Sequence, residues 1–154
     1  MKESIVFITE SPLQTKKTGK ALAQEVLKTP PGNGAFCMAL SGDLGGGKTT
    51  FLQGFASGLG IKEKILSPTF IIYKRNRIKG PVFKNFYHFD CYRLKETKEV
   101  VSLGFKEIIL NPHNIVVVEW AERIKKALPK NTLFLKFDFI DYSKRKIHIR
   151  FNGK

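Results

Sequence analysis

The chain is short of several things, and each shortage closes a class of function. It has only 2 cysteines, Cys37 and Cys91. Cys37 sits in an apolar run, so the pair is expected to be small buried hydrophobes in a reducing cytoplasm, not a disulfide or a metal site. No apolar run approaches the length of a membrane span. The opening Met1-Lys2-Glu3-Ser4-Ile5 has no long apolar segment of the secretory kind. The expectation is a cytoplasmic protein with no membrane partner. Acidic residues are scarce: 13 Asp and Glu stand against 27 Lys and Arg, for a formal charge of +14. That balance suits a nucleic acid or an acidic protein as partner, and equally a solvated lysine-rich surface. The denser basic groups are Lys74-Arg75-Asn76-Arg77, Arg123 with Lys125 and Lys126, and Lys144-Arg145-Lys146. There is no repeat, low-complexity tract or linker, so 154 residues are expected to form one domain, residues 1–154.

The most informative stretch present is Ser41-Gly42-Asp43-Leu44-Gly45-Gly46-Gly47-Lys48-Thr49-Thr50. Residues 42–49 fit the phosphate-binding loop pattern G-x-x-x-x-G-K-[ST]. An apolar run at 36–40 precedes it as a buried strand. Phe51, Leu52, Phe55, Ala56 and Leu59 follow at helical spacing. Glycines at 45–47 reach backbone angles closed to other residues, so successive N–H groups can turn inward around a phosphate. The helix start adds its positive dipole end. Asp43 through Thr50 are therefore expected to hold the nucleotide. Lys48 is expected on the outer phosphates, and Thr49 offers its hydroxyl to Mg²⁺.

Other elements follow from capping, turn residues and periodicity. A short strand is expected at 4–9. A helix capped by Ser11, with Pro12 first and Gln14 completing a capping box, runs to about residue 28, with Leu13, Ala21, Leu22 and Val26 inward. Strands are expected at 70–74 and 82–89, with the turn at 76–80; so short a link makes them antiparallel. A helical stretch at 96–110 is broken at Gly104. A fully apolar strand covers 115–118, a short basic helix 121–128, and a final hairpin 132–140 with 146–151. The fold class is α/β: a P-loop NTPase-type domain whose mixed sheet, parallel at the loop and antiparallel at the hairpins, is flanked by helices.

Three further groups are placed to complete the site, because ligands in open α/β sheets sit at the carboxyl ends of strands. Ser67-Pro68-Thr69-Phe70 precedes a strand; a threonine there can sense the γ-phosphate and Mg²⁺, although an ordinary turn explains the tetrapeptide as well. In His88-Phe89-Asp90-Cys91-Tyr92-Arg93, Asp90 suits Mg²⁺, directly or through water. His88 either orients Asp90 or water, or is structural. Arg93 either stabilises transferring phosphoryl charge or braces its loop. Glu119 ends the apolar strand as a Walker-B-like carboxylate, able to polarise the attacking water or hold Mg²⁺-bound water. Trp120 either packs on the core or presents an edge to a base or partner.

These four motifs, in this order and spacing, resemble the TsaE (YjeE) family of P-loop ATPases. The residues that carry the resemblance are the loop from Gly42 to Thr50, Ser67-Pro68-Thr69-Phe70, the run from His88 to Arg93, and Val118-Glu119-Trp120-Ala121-Glu122. Gly46 departs from the alanine frequent there in the family. The resemblance implies a cytoplasmic ATPase, using ATP and Mg²⁺, that works with the TsaB and TsaD proteins. That machinery adds the threonylcarbamoyl group to adenosine 37 of tRNA, touched directly or indirectly. It also implies that Lys48 and Thr49 bind phosphate and metal, that Thr69 and Asp90 complete the metal and switch region, and that Glu119 with Trp120 serves hydrolysis. Two other functions compete. A small-molecule P-loop kinase would need an Arg-rich lid or acceptor segment, and neither is evident. A nucleotide-gated module for RNA or protein would bind ATP and not depend on hydrolysis. A GTPase would need an Asn-Lys-x-Asp motif, which the sequence lacks.

Overall fold

The structure, a computed structural model, describes residues 3–42, 45–65 and 72–151. Asp43, Leu44 and the Ser67-Pro68-Thr69-Phe70 motif, Thr69 included, lie outside the described residues. The elements are β1 (Glu3–Thr9), α1 (Pro12–Lys28), β2 (Phe36–Gly42), α2 (Lys48–Gly58), β3 (Tyr73–Arg77), β4 (Asn85–Asp90), α3 (Thr97–Val101), α4 (Phe105–Leu110), β5 (Asn114–Glu119), a 3-10 helix (Ala121–Ala127), β6 (Leu133–Phe139) and β7 (Arg145–Phe151). The strands form one sheet of 7 in the order β1-β7-β6-β2-β5-β4-β3. β2 is parallel to β5 and to β6, and β5 is parallel to β4. The β3–β4, β6–β7 and β1–β7 pairs are antiparallel. The mixed α/β sheet expected from the sequence is therefore present.

Alternation along β2 divides the core. Met38 and Leu40 face α1 and α2, where they join Phe51, Phe55, Phe86, Val117 and Phe137. Cys37 and Ala39 face the layer built from α3, α4 and the 3-10 helix, with Phe89, Phe105, Val118 and Ile124. Both cysteines are free and buried. Burial pushes the Cys37 thiol up to about 12. Burial, with Asp90 and Glu122 nearby, does the same for Cys91. Neither is a thiolate at neutral pH, in keeping with small hydrophobes. Phe51 of α2 meets Phe137 of β6 edge-on at 5.3 Å between centroids. An aromatic pair of this kind adds about 1 kcal/mol to the burial of the rings and ties the helix after the loop to the sheet. Among the described residues no helix is long and apolar enough to cross a membrane.

Several boundaries differ from the sequence reading. Ser11 Oγ caps α1 by accepting from Gln14 N–H at 3.1 Å, as expected. The Gln14 side chain, however, accepts from Glu10 N–H at 2.7 Å, so the box closes one residue early. The buried face of α1 is Thr15, Gly19, Ala23 and Val26, while the expected Leu13 is 62% exposed. The cause is the tight α1–α2 packing: a Cβ on Gly19 would lie 2.1 Å from Phe51 O, and one on Gly54 would lie 1.9 Å from Lys16 O. Backbones this close admit only small residues, so the packing face of α1 is not its most hydrophobic face. The β3–β4 hairpin is shifted toward the C-terminus relative to the expected 70–74 and 82–89. Asn76, assigned to the turn by its polarity, pairs with Phe86 inside the ladder and its side chain donates to Glu63 Oε2 at 3.2 Å. β3 is a sheet edge, where charged residues are tolerated because one side faces water. The helical stretch at 96–110 divides at Gly104 as expected, and the basic segment after Trp120 is a 3-10 helix rather than an α-helix.

Gly54→Ala is expected to destabilise the fold by about 2–3 kcal/mol, since the added methyl must force α1 and α2 apart. Urea denaturation of the variant against the parent measures this; an unchanged midpoint would show that the helices separate at no cost.

Candidate functional site

The parallel arrangement brings the carboxyl ends of β2, β4, β5 and β6 to one side of the sheet. β2 runs into the Gly-rich loop. Gly47, with φ +97°, is the left-handed residue from which α2 starts. A side chain there would be strained by its backbone and would press against Arg145 Cγ at 3.2 Å. Residues 45–50, Glu119, Trp120 and Arg145 together line one cavity of about 270 Å³. The structure thus brings together Gly45, Gly46, Gly47, Lys48, Thr49, Thr50, Glu119 and Trp120, all singled out by sequence.

Lys48 is 7% exposed. Its ammonium donates to Gly42 O at 2.5 Å and stands 5.2 Å from the centre of the Trp120 ring. Cation and indole therefore meet at the base of the cavity. Trp120 also packs against Tyr92, with centroids 4.9 Å apart. Of its two expected roles, the core contact is present, and the same ring forms part of the cavity wall. Among the described residues Trp120 is the sole non-glycine residue with positive φ, at 57°. A bulky residue holds that conformation only where its surroundings impose it, and such outliers gather at functional sites.

Glu119 is buried at the end of β5, and its carboxylate pairs with His88 of β4. The His88 Nε2–H donates to Glu119 Oε2 at 2.6 Å, and both side chains are 4% exposed. His88 was expected either to orient Asp90 or water, or to be structural. Its hydrogen-bond partner is the buried Glu119. The register explains this: Asp90 pairs with Glu119 and His88 with Val117, so His88 sits one diagonal step from Glu119 on the same face of a parallel ladder. The contact engages Oε2, and Glu119 is also part of the cavity wall. Asp90 lies beside Glu119 at the strand ends, where its Oδ1 accepts from Tyr92 N–H at 3.0 Å. Arg93 is exposed in the turn after β4 and is not part of the cavity wall.

The donor chemistry suits Mg²⁺. The Thr49 hydroxyl and the Asp90 and Glu119 carboxylates are hard oxygen donors at one end of the sheet, and Mg²⁺ needs only one or two carboxylates besides water and phosphate oxygens. Among the described residues no three His, Cys, Asp or Glu side chains converge into a self-sufficient metal site.

Sequence reading missed Arg145 as a site residue. Its only signal was membership of the basic run Lys144-Arg145-Lys146. It is the first residue of β7, and the turn just before it is ordered by Asp141: Oδ1 accepts from Ser143 N–H at 2.9 Å, Lys144 N–H at 2.8 Å and the Ser143 hydroxyl at 3.1 Å. The backbone N–H groups of Lys144 and Ser143 hold the Asp141 carboxyl below the usual carboxylate range.

Comparison with known proteins adds an independent finding. A family model described as Threonylcarbamoyl adenosine biosynthesis protein TsaE matches residues 9–147. The tRNA threonylcarbamoyladenosine biosynthesis protein TsaE of Haemophilus influenzae is 32% identical over 139 residues, covering 90% of this chain and 85% of that protein. The protein of the same description from Bacillus subtilis is 40% identical over 126 residues, covering 81% and 72%. The crystal structure of Bacillus subtilis YdiB superposes with a TM-score of 0.73 at 32% identity, covering 99% of this chain and 88% of that one.

Two outcomes follow from the geometry. His88→Ala leaves a buried carboxylate without its partner and is expected to cost about 3 kcal/mol of stability in chemical denaturation; loss of under about 0.5 kcal/mol would show that Glu119 does not depend on it. Because the folded pKa of Asp141 is lowered, its contribution is present above the usual carboxylate range and lost as pH falls through the lowered value. The melting temperature of Asp141→Ala should therefore lie below the parent at neutral pH and converge with it in acid; a gap independent of pH would contradict this.

Proposed function

Because the chain belongs to the TsaE family, we propose that it is a magnesium-dependent ATPase of tRNA threonylcarbamoyladenosine biosynthesis that works with the TsaB and TsaD proteins. The observation that carries the proposal is the shared cavity. Backbone N–H groups of a Gly-rich loop, a buried lysine, a threonine hydroxyl and a buried glutamate converge on one space. The fit of these groups to a triphosphate supports hydrolysis rather than simple anion binding.

In this reading residues 43–50 cradle the phosphates. The Lys48 ammonium leaves the Gly42 carbonyl for the outer phosphates, where its charge counts for more than against a neutral oxygen. Thr49 and Asp90, with Thr69, supply oxygens for the metal. Bound Mg²⁺ would neutralise charge developing across the outer phosphates. Glu119 then orients, or takes a proton from, the attacking water with Oε1, while His88 holds Oε2 and fixes the carboxylate. Trp120 closes the wall beside Lys48 and limits water there. Hydrolysis is slow in isolation and rises when TsaB and TsaD complete the site. Its use is to support repeated rounds of tRNA modification, not to perform the transfer itself.

ATP hydrolysis measured alone and with purified TsaB and TsaD tests this. A several-fold rise in the complex is expected, and an unchanged rate would defeat the partner assignment. Lys48→Ala should remove nucleotide binding; tight binding by that variant would defeat the reading of the loop. A cytosolic pull-down with ATP should recover TsaB and TsaD, whereas salt-sensitive recovery of tRNA without them would favour an RNA-binding module.

A further inference from the structure

The strands β1, β7 and β6 form one end of the sheet. Their odd-numbered residues point into the core beneath α1 and α2, where Leu135, Phe137 and Ile147 are buried. Their even-numbered residues point to the opposite face. Register sets His148 between Val6 and Lys136, and Lys146 between Ile8 and Asp138. Arg150 stands beside Phe134 in the next row. Phe134 packs against the core beneath the short helices, and no other residue of these rows does. Val6 and Ile8 are 51% and 53% exposed. This end of the sheet is therefore open on one face.

An outer sheet face left to water ordinarily mixes charges of both signs. Here Lys136, Lys146, His148 and Arg150 share the face with one carboxylate, Asp138. That carboxylate is already engaged, by His148 Nε2 at 2.8 Å and Lys136 Nζ at 3.9 Å. Among the described residues neither Lys146 nor Arg150 has an ion-pair partner. The Arg150 guanidinium lies 5.1 Å from the centre of the Phe134 ring. That contact holds it by its plane and uses none of its N–H donors. Along β7 the three basic side chains recur about every 7 Å, two residues of strand rise. The face is a flat grid of cations with apolar surface between them.

We propose that this face binds RNA directly, with the β7 row on the phosphates of one strand and a base laid on the Arg150 guanidinium. Charge complementarity selects a polyanion, and the polyanion that proteins of this family serve to modify is tRNA. An acidic protein would match the charge, but the guanidinium stacked on its ring presents a flat surface suited to a base. Val6 and Ile8 add apolar surface for a ribose or base edge. Lys146 directly follows Arg145 of the cavity wall, so the row of cations begins beside the nucleotide site. The inference rests on the family's place in tRNA modification and not on ATP hydrolysis, so either reading can fail without the other.

The test is fluorescence anisotropy of a labelled tRNA transcript with the chain alone, over a range of salt. The parent should bind, more weakly as salt rises. Lys146→Ala combined with Arg150→Ala should weaken binding by about 10- to 30-fold at ~0.1 M salt, and lower the logarithmic salt slope by about 1.5. Asp138→Asn removes the one carboxylate of the face and should tighten binding by about fivefold, a gain that misfolding cannot produce. Lys74→Ala combined with Arg75→Ala takes the same charge from β3 at the opposite edge, and should change affinity by less than about threefold. None of these residues lines the cavity, so nucleotide affinity should stay parent-like in every variant and report correct folding. Equal losses in the two double variants would show a response to net charge alone and overturn the face. Unchanged affinity in the Lys146 and Arg150 variant, or no gain in Asp138→Asn, would overturn it too. So would absence of parent binding up to about 100 µM, the weak end of sequence-independent affinity. Binding of a labelled polyglutamate peptide but not of tRNA would assign the face to an acidic protein and overturn the RNA reading. A rise in hydrolysis with TsaB and TsaD, without any tRNA binding, would overturn the face and leave the ATPase reading intact.

Discussion

The parallel pairing of β2 with β5 on one side and β6 on the other is the constraint on which the site depends. Parallel neighbours end on the same side of a sheet. The loop after β2, the Glu119-Trp120 pair after β5 and the turn after β6 therefore open onto one space. An antiparallel neighbour at either position would have delivered its loop to the opposite edge. The cavity is in this sense a property of strand direction first and of side-chain identity second.

That geometry is held by packing on both faces. α1 and α2 lie so close that glycine is needed at Gly19 and Gly54, and α2 is fixed to β6 through Phe51 and Phe137. The helix that begins at Lys48 is thus set against the same strand, β6, whose last residue Phe139 pairs with Arg145 at the start of β7. On the other face, the short helices after β4 and β5 cover Phe89 and Val118. The left-handed Trp120 turns the chain abruptly from β5 into the 3-10 helix, which leaves its ring over Lys48 instead of out in solvent.

Charge within the site is arranged by depth. Glu119 is buried but not alone, because His88 takes one of its oxygens. Lys48 is buried against a carbonyl and an aromatic face. Arg145 has carbonyl oxygens and a ring but no carboxylate ion pair among the described residues. Lys48 and Arg145 bring two positive charges to the wall of one cavity beside the Gly-rich loop, an electrostatic environment that favours a polyanion. The net charge of +14 is a separate matter, spread over scattered lysines and arginines.

Much of this was legible in the residues. The loop pattern, the strand before it and the helix after it are local features, set by glycine angles, apolar periodicity and a lysine at fixed offset. The same holds for the cap at Ser11, the break at Gly104 and the carboxylate that ends β5. What escaped was non-local. On α1, Val26 faces inward as expected, but Leu13 does not, because interhelical distance, not hydrophobicity, selects small residues along most of that face. The hairpin of β3 and β4 was displaced because an edge strand tolerates Asn76 and its charged neighbours. His88 found Glu119 and Arg145 reached the loop only through register and strand order, which bring together residues 31 positions apart in one case and about a hundred in the other. The sequence alone determined which chemistry the chain can offer, since that depends on residue type and local spacing. Which of those groups share a cavity was decided by the tertiary structure, because parallel pairing is a contact between segments far apart in the chain.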